Sequence, residues 1–126
     1  MSEELARRAV ACRHWRWLPG MSLTRIQGAR LAHQSDSGRW LVSYGADSLW
    51  CDPAPDWLPD LTDPATVGAL LALVREAWED PCICTAVDNT GAGWWVDGWT
   101  AARPQVPSDL HPTEAAALVA ALEAAP

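Results

Sequence analysis

Lysine and phenylalanine do not occur in these 126 residues, and tyrosine occurs once. Asparagine is confined to Asn89 and isoleucine to Ile26 and Ile83. These residues have AT-rich codons, whereas the abundant Ala, Arg, Pro and Trp have GC-rich ones, so the absences report a high-GC genome. They also change the meaning of the nine tryptophans. Without Phe, Trp is the available large aromatic, and several must serve as core fillers. No apolar run approaches the ~18 residues of a membrane-spanning helix. Met1-Ser2-Glu3-Glu4 lacks the basic and then apolar character of a secretory signal, so a cytoplasmic location is expected.

Motifs of chemistry are missing as well. There is no G-x-S-x-G elbow to hold a serine nucleophile on a strained turn. Gly91-Ala92-Gly93 lacks the third glycine, the following helix and the lysine of a phosphate loop, and reads as a hairpin tip. Cys12, Cys51, Cys82 and Cys84 contain no C-x-x-C. Cys82 and Cys84 fall on one face of a strand and could share a metal with His111 or His14, but the spacing fits no zinc pattern, and reduced, half-buried thiols are expected. His14, His33 and His111 form no i,i+4 pair, and His111 stands where a helix cap is expected. Glu76, Glu79 and Asp80 read as a solvated face. No cofactor, metal or catalytic residue is expected, and the reading leans away from an enzyme.

What is present is an ordinary domain's worth of chain, 49% hydrophobic and 20% charged, enough to bury a core. The formal net charge is −7, which disfavours direct nucleic-acid binding by phosphate neutralisation. The charge is uneven. Residues 1–39 hold seven Arg against Glu3, Glu4 and Asp36, whereas residues 40–126 hold two Arg against thirteen acids. Such a dipolar molecule can steer a partner of opposite charge.

Ser2 is placed to cap a first helix in which Leu5, Ala6, Ala9 and Val10 recur at helical spacing up to about Arg13. Pro19-Gly20 makes a turn. Strands are expected over 22–31, over 39–44 with Trp40, Val42 and Tyr44 on one face, and over 48–51, with Gln34–Gly38 as a turn. Asp63 caps a second helix opened by Pro64, with Val67, Leu70, Leu71, Val74 and Trp78 as its apolar stripe. Strands at 82–87 and 94–100 flank a glycine-rich hairpin. Pro104 and Pro107 mark a connector, and Pro112 opens a last helix with Glu114 near its third position and Ala115, Leu118, Val119 and Leu122 inward. The expectation is one α+β domain over residues 1–126, a small antiparallel sheet with about three helices packed against it.

Residues 58–78, Leu58-Pro59-Asp60-Leu61-Thr62-Asp63-Pro64 through Arg75-Glu76-Ala77-Trp78, resemble a group of small uncharacterised proteins encoded by phages and prophages of high-GC bacteria. Two further stretches agree: Glu4-Leu5-Ala6-Arg7-Arg8 to Trp15-Arg16-Trp17-Leu18-Pro19-Gly20-Met21, and Pro112-Thr113-Glu114-Ala115 to Leu118-Val119-Ala120-Ala121-Leu122-Glu123. The resemblance covers most of the chain except 22–57 and 82–111. It implies provenance, and carries over no activity and no site residue.

Two functions fit these observations. The first is a small acidic accessory protein that binds a protein partner with a basic surface, in its sharper form an inhibitor of a host defence system, since acidic surfaces can occupy arginine-lined channels. Its candidate surface is the connector 52–63, where Pro53, Pro55 and Pro59 forbid regular structure and Asp52, Asp56 and Asp60 stand beside Trp50 and Trp57. If that segment is extended, neighbouring carboxylates lie roughly 10–13 Å apart, too wide to imitate successive phosphates of one strand. Homodimerisation is left open. The second function is a small enzyme or ligand-binding domain with a site around Cys82, Cys84, His111 and the Trp94–Trp99 strand. Protein purified without chelator should carry less than about a tenth of an equivalent of zinc by elemental analysis. Stoichiometric metal that disappears on changing Cys82 and Cys84 to Ser would reverse that expectation.

Overall fold

The computed structural model describes residues 3–24, 28–98 and 110–126. The fold is α+β, as expected: the described residues form three helices and two small antiparallel sheets. The elements are α1 (Glu3–Ala11), β1 (Ala29–Gln34), β2 (Trp40–Tyr44), β3 (Asp47–Cys51), α2 (Pro64–Ala77), β4 (Cys84–Val87), β5 (Trp94–Asp97) and α3 (Glu114–Ala124). They form two compact units, one of Trp17–Ala69 and one of Met1–Arg16 with Leu70–Pro126.

In the unit spanning 17–69, β1, β2 and β3 form a meander in that order. The first strand begins later than the sequence suggests. Ser22 and Leu23 make isolated bridges to Arg30 and Pro59, and β1 extends through Gln34, which the sequence places in a turn. A bulge between Leu31 and His33 breaks the alternation, leaving Ala32, His33 and Gln34 all exposed and hiding the strand from a period-two reading. Trp40 and Val42 are buried with Leu31 and Ala29. The β2–β3 hairpin closes on Gly45-Ala46, with Gly45 at φ 60 supplying the left-handed first position of a two-residue turn.

The connector 52–63 is not extended throughout. Trp57 N–H donates to the Ala54 carbonyl at 3.1 Å and Asp63 N–H to that of Asp60 at 3.2 Å, so the chain turns twice. Between the turns it runs beside 22–24: Thr24 N–H donates to the Leu58 carbonyl and Asp60 N–H to that of Ser22. Leu58 and Leu61 are buried as its pins, and Trp57 packs edge-on against Trp17, centroids 5.8 Å apart.

Helix α2 starts as its sequence dictates. The Asp63 carboxylate accepts the Thr66 N–H at 2.9 Å, and Pro64 takes the first position, where no N–H is needed. Its buried face, however, is Thr66, Leu70, Leu73, Val74 and Trp78, while Val67 and Leu71 are half-buried flanks. Thr66 replaces Val67 because its hydroxyl is hydrogen-bonded, accepting from Ser22 N–H at 2.8 Å and donating to Asp63. The helix ends with Glu79 at φ 51. Glu79 N–H donates to Glu76 and Asp80 N–H to Arg75, a left-handed closure that glycine ordinarily fills.

In the other unit, α3 packs on α1 and on the β4–β5 hairpin. Thr113, rather than His111, caps α3, its side chain accepting the Ala116 N–H at 3.0 Å, so Glu114 is the first helical residue. The last carbonyls of α3 find side-chain donors: Trp78 Nε1 reaches Ala121 at 2.8 Å, Cys12 Sγ reaches Leu122, and Arg13 reaches Ala125. Strand β4 starts at Cys84 because Asp80 accepts the Cys82 N–H and turns the chain. At the tip, the hydrogen bond from the Thr90 hydroxyl, with that of its N–H, holds the Asp88 carboxyl below the usual carboxylate range. Gly91 has φ 72. Gly93 is needed for closeness instead, since a Cβ there would lie 2.8 Å from the His111 carbonyl oxygen. The Ser2 cap, the end of the 94–100 strand and the Pro104/Pro107 connector lie outside the described residues.

Leu70 is fully buried and Leu71 is not. Leu70→Ala should therefore cost about 2–5 kcal/mol by urea denaturation and Leu71→Ala clearly less. Equal losses at the two positions would show that the helix face is set differently.

Candidate functional site

The candidate surface lies wholly within the 17–69 unit and is built on the outer strand of its sheet. All of β3 is exposed except Cys51, which is half-buried. Its register with β2 pairs Leu41 with Trp50 and Val42 with Leu49. Leu49 therefore continues the row of Leu31 and Val42, both fully buried, yet is itself 59% exposed. Trp50 stands on the opposite face, 41% exposed, edge-on to His33 at 6.2 Å. On the Leu49 face, burial raises the Tyr44 hydroxyl above its ordinary range, with Cys51 beside it adding to the effect.

Of the residues expected to form the surface, Asp52 follows Trp50 closely at the end of β3. Its side chain is 81% exposed and is met by Arg39 Nε at 3.2 Å. Arg39 Nη2 also donates to the Trp50 carbonyl at 3.2 Å, so one guanidinium caps the end of the edge. Asp56 is exposed in the first connector turn. Asp60 is half-buried and accepts both the N–H and the hydroxyl of Thr62, at 3.0 and 2.6 Å. Trp57 is half-buried against Trp17 and serves the packing of the connector more than its surface.

The segment contains no base in sequence, but the fold brings two to it. Besides Arg39 on Asp52, Arg30 grips Asp63 with both nitrogens, each at 2.9 Å, and its Nη1 reaches the Gly20 carbonyl at 2.6 Å. The hydrogen bond from Arg30, reinforced by Thr66, holds the Asp63 carboxyl down at about 2 against the opposing effect of burial. Asp63 is thus committed to structure. Four residues that the sequence reading passed over also belong to the surface: Asp47, Ser48, Leu49 and Arg39. The signal for them was the run Ser48-Leu49-Trp50, which has large apolar residues on both faces and a proline two residues beyond Cys51, the mark of a strand at a sheet edge.

Among the described residues, those of the alternative site are spread along the hairpin and are not brought together. Cys84 pairs with Asp97 at one end of the β4–β5 hairpin, whereas His111 pairs through its backbone with Trp94 at the other. Cys82 is exposed in the preceding turn. Trp99 lies outside the described residues. Among the described residues, no group of three or more His, Cys, Asp and Glu side chains could hold a metal ion. Clefts lined by described residues lie in the unit that contains this hairpin. One, about 370 Å³, is lined by His14, Leu73, Glu76, Ala77, Glu79 and Pro126, and another, about 440 Å³, by the Asp88–Asn89 tip with Trp95 and Leu110. No helix among the described residues is long and apolar enough to cross a membrane.

Set against known proteins, the chain matches no family model, no curated protein and no solved structure.

The Asp63 carboxyl has a folded pKa below its unfolded value, so its contribution to stability is fully present above about pH 4 and is lost as pH falls towards 2. Asp63→Asn should cost about 1–2 kcal/mol at pH 7, allowing for solvent screening of the half-exposed Arg30. The gap from the parent should narrow in urea titrations at pH 2–3. A gap independent of pH would show that the ion pair contributes nothing beyond the helix cap.

Proposed function

We propose that the chain is a small acidic accessory protein of phage or prophage origin that acts in the cytoplasm of its bacterial host by binding a protein partner with a basic surface. Its sharper form is an inhibitor that occupies an arginine-lined channel of a host defence protein. The observation that carries the reading is the pairing of exposed apolar side chains with acids on one outer strand. Leu49 and Trp50 are both solvent-exposed, on opposite faces of β3; Asp47 starts the strand, Asp52 directly follows it, and Asp56 is exposed in the connector turn beyond. An apolar centre with a charged rim is the usual anatomy of a protein interface. The imbalance of residues 40–126, two Arg against thirteen acids, supplies a field that speeds encounter with a basic partner. Asp52, Asp56 and Asp60 are the rim residues of this reading, with Trp50 as its anchor and Trp57 half-buried against Trp17.

The test begins with capture of a partner from lysate of a high-GC bacterial host. It then compares the parent with Asp52→Asn, Asp56→Asn and Asp60→Asn combined. Asn keeps an acceptor oxygen for Thr62, so folding should be nearly unchanged. Association should slow several-fold, and its dependence on salt should flatten. A combined variant that associates at the parental rate at both low and high salt would leave the acids as a solvated loop.

A further inference from the structure

We propose that the outer edge of β3 receives an extended, basic segment of the partner as the next strand of the sheet. This rests on the protein-binding reading above and names its mode. In a two-residue hairpin the closing pair exchanges both backbone hydrogen bonds, and bonded and non-bonded pairs then alternate. Tyr44 with Asp47, Val42 with Leu49 and Trp40 with Cys51 are therefore the bonded pairs, and Ser43 with Ser48 and Leu41 with Trp50 the others. Ser48 and Trp50 thus aim their N–H and C=O groups away from β2. The Trp50 carbonyl is met by Arg39. The Ser48 N–H, the Ser48 carbonyl and the Trp50 N–H remain as a donor, acceptor and donor along the strand, the pattern that strand addition reads.

The side chains add direction. The apolar row Leu31, Val42, Leu49 stops at the edge with Leu49 uncovered, and an apolar residue of an added strand would prolong it. β3 ends at Cys51, two residues before Pro53, which limits the pairing frame to the few residues before it. Asp47 and Asp52 stand just inside and just beyond the two ends of that frame. A second copy of the chain is a poor occupant, because antiparallel pairing of two β3 strands brings the Asp47 end of each to the Asp52 end of the other. Both copies also carry the same net charge of −7, so their acids are gathered at each end of the pairing instead of being set against a base. Asp52, though met by Arg39, keeps its side chain 81% exposed, so a segment with a basic residue at each end can reach both acids.

The probe is a synthetic hexapeptide, Lys-Val-Thr-Val-Thr-Lys, added to the full chain labelled with nitrogen-15. Amide signals of Ser48 and Trp50 should shift, and their hydrogen exchange should slow about tenfold or more at saturation. A Glu-ended peptide should bind about tenfold more weakly or worse, and so should a peptide N-methylated on the amides facing β3. Leu49→Lys should abolish the shifts while leaving the melting temperature unchanged, since Leu49 is exposed. The inference is overturned by protection elsewhere than β3, by equal binding of the control peptides, or by silence at about 1 mM peptide. A dimer that Leu49→Lys dissolves would overturn it too, placing a second copy on the edge. None of these readouts uses the natural partner, so their failure leaves the acid-dependent reading to its own test with the Asn variant.

Discussion

The fork of Arg30 on Asp63 is the contact on which the 17–69 unit depends. One carboxylate caps α2, accepts from Thr66 and receives both guanidinium nitrogens from β1. The same guanidinium reaches back to the Gly20 carbonyl, and Thr66 in turn accepts the Ser22 N–H. Four segments (the 20–22 stretch, β1, the end of the connector and the start of α2) are joined through six hydrogen bonds among eight polar atoms, in addition to the backbone bonds that tie the 20–22 stretch to β1 and to the connector. Such a network is strong only if every member is satisfied. Here buried Thr66 and half-buried Asp63 find partners for all the groups named. The ordering of the connector, and therefore the place of Asp52, Asp56 and Asp60, follows from this knot together with the burial of Leu58 and Leu61.

Local signals carried much of the fold. Asp63-Pro64 announced a helix start, and the glycines at 45 and 91 sit where turns need positive φ. Strand β2 alternates cleanly because one of its faces is buried. Local signals fail where a distant partner or a local irregularity decides. The bulge at Ala32 displaced β1, and a hydroxyl network rather than hydrophobicity put Thr66 on the buried face of α2 in place of Val67. His111 pairs with Trp94 across the hairpin and leaves the capping of α3 to Thr113.

The candidate surface was legible only in outline. Asp52, Asp56 and Asp60 are visible as a run of acids among prolines, and Trp50 as a neighbour. Their electrostatic condition is not, because Arg39, just before β2, and Arg30, in β1, stand 13 and 33 residues away from Asp52 and Asp63. Nor could the sequence say that β3 is the outer strand, which depends on meander order. That order turns Leu49 from an ordinary core-facing residue into an exposed one, and it moves the centre of the surface from the connector to the strand.

The outward edge of β3 also has a colloidal consequence. A free edge with exposed Leu49 and Trp50 is a template for self-pairing, and what keeps molecules apart is brevity, Pro53 and net negative charge. The isoelectric point of the chain is near 4.7. Around that pH the long-range repulsion between copies vanishes, while Asp63, held at about 2, keeps its charge and its grip on Arg30. The protein therefore reaches its least soluble condition while the knot that orders its acidic connector is still intact, so precipitation there would begin from folded molecules meeting edge to edge.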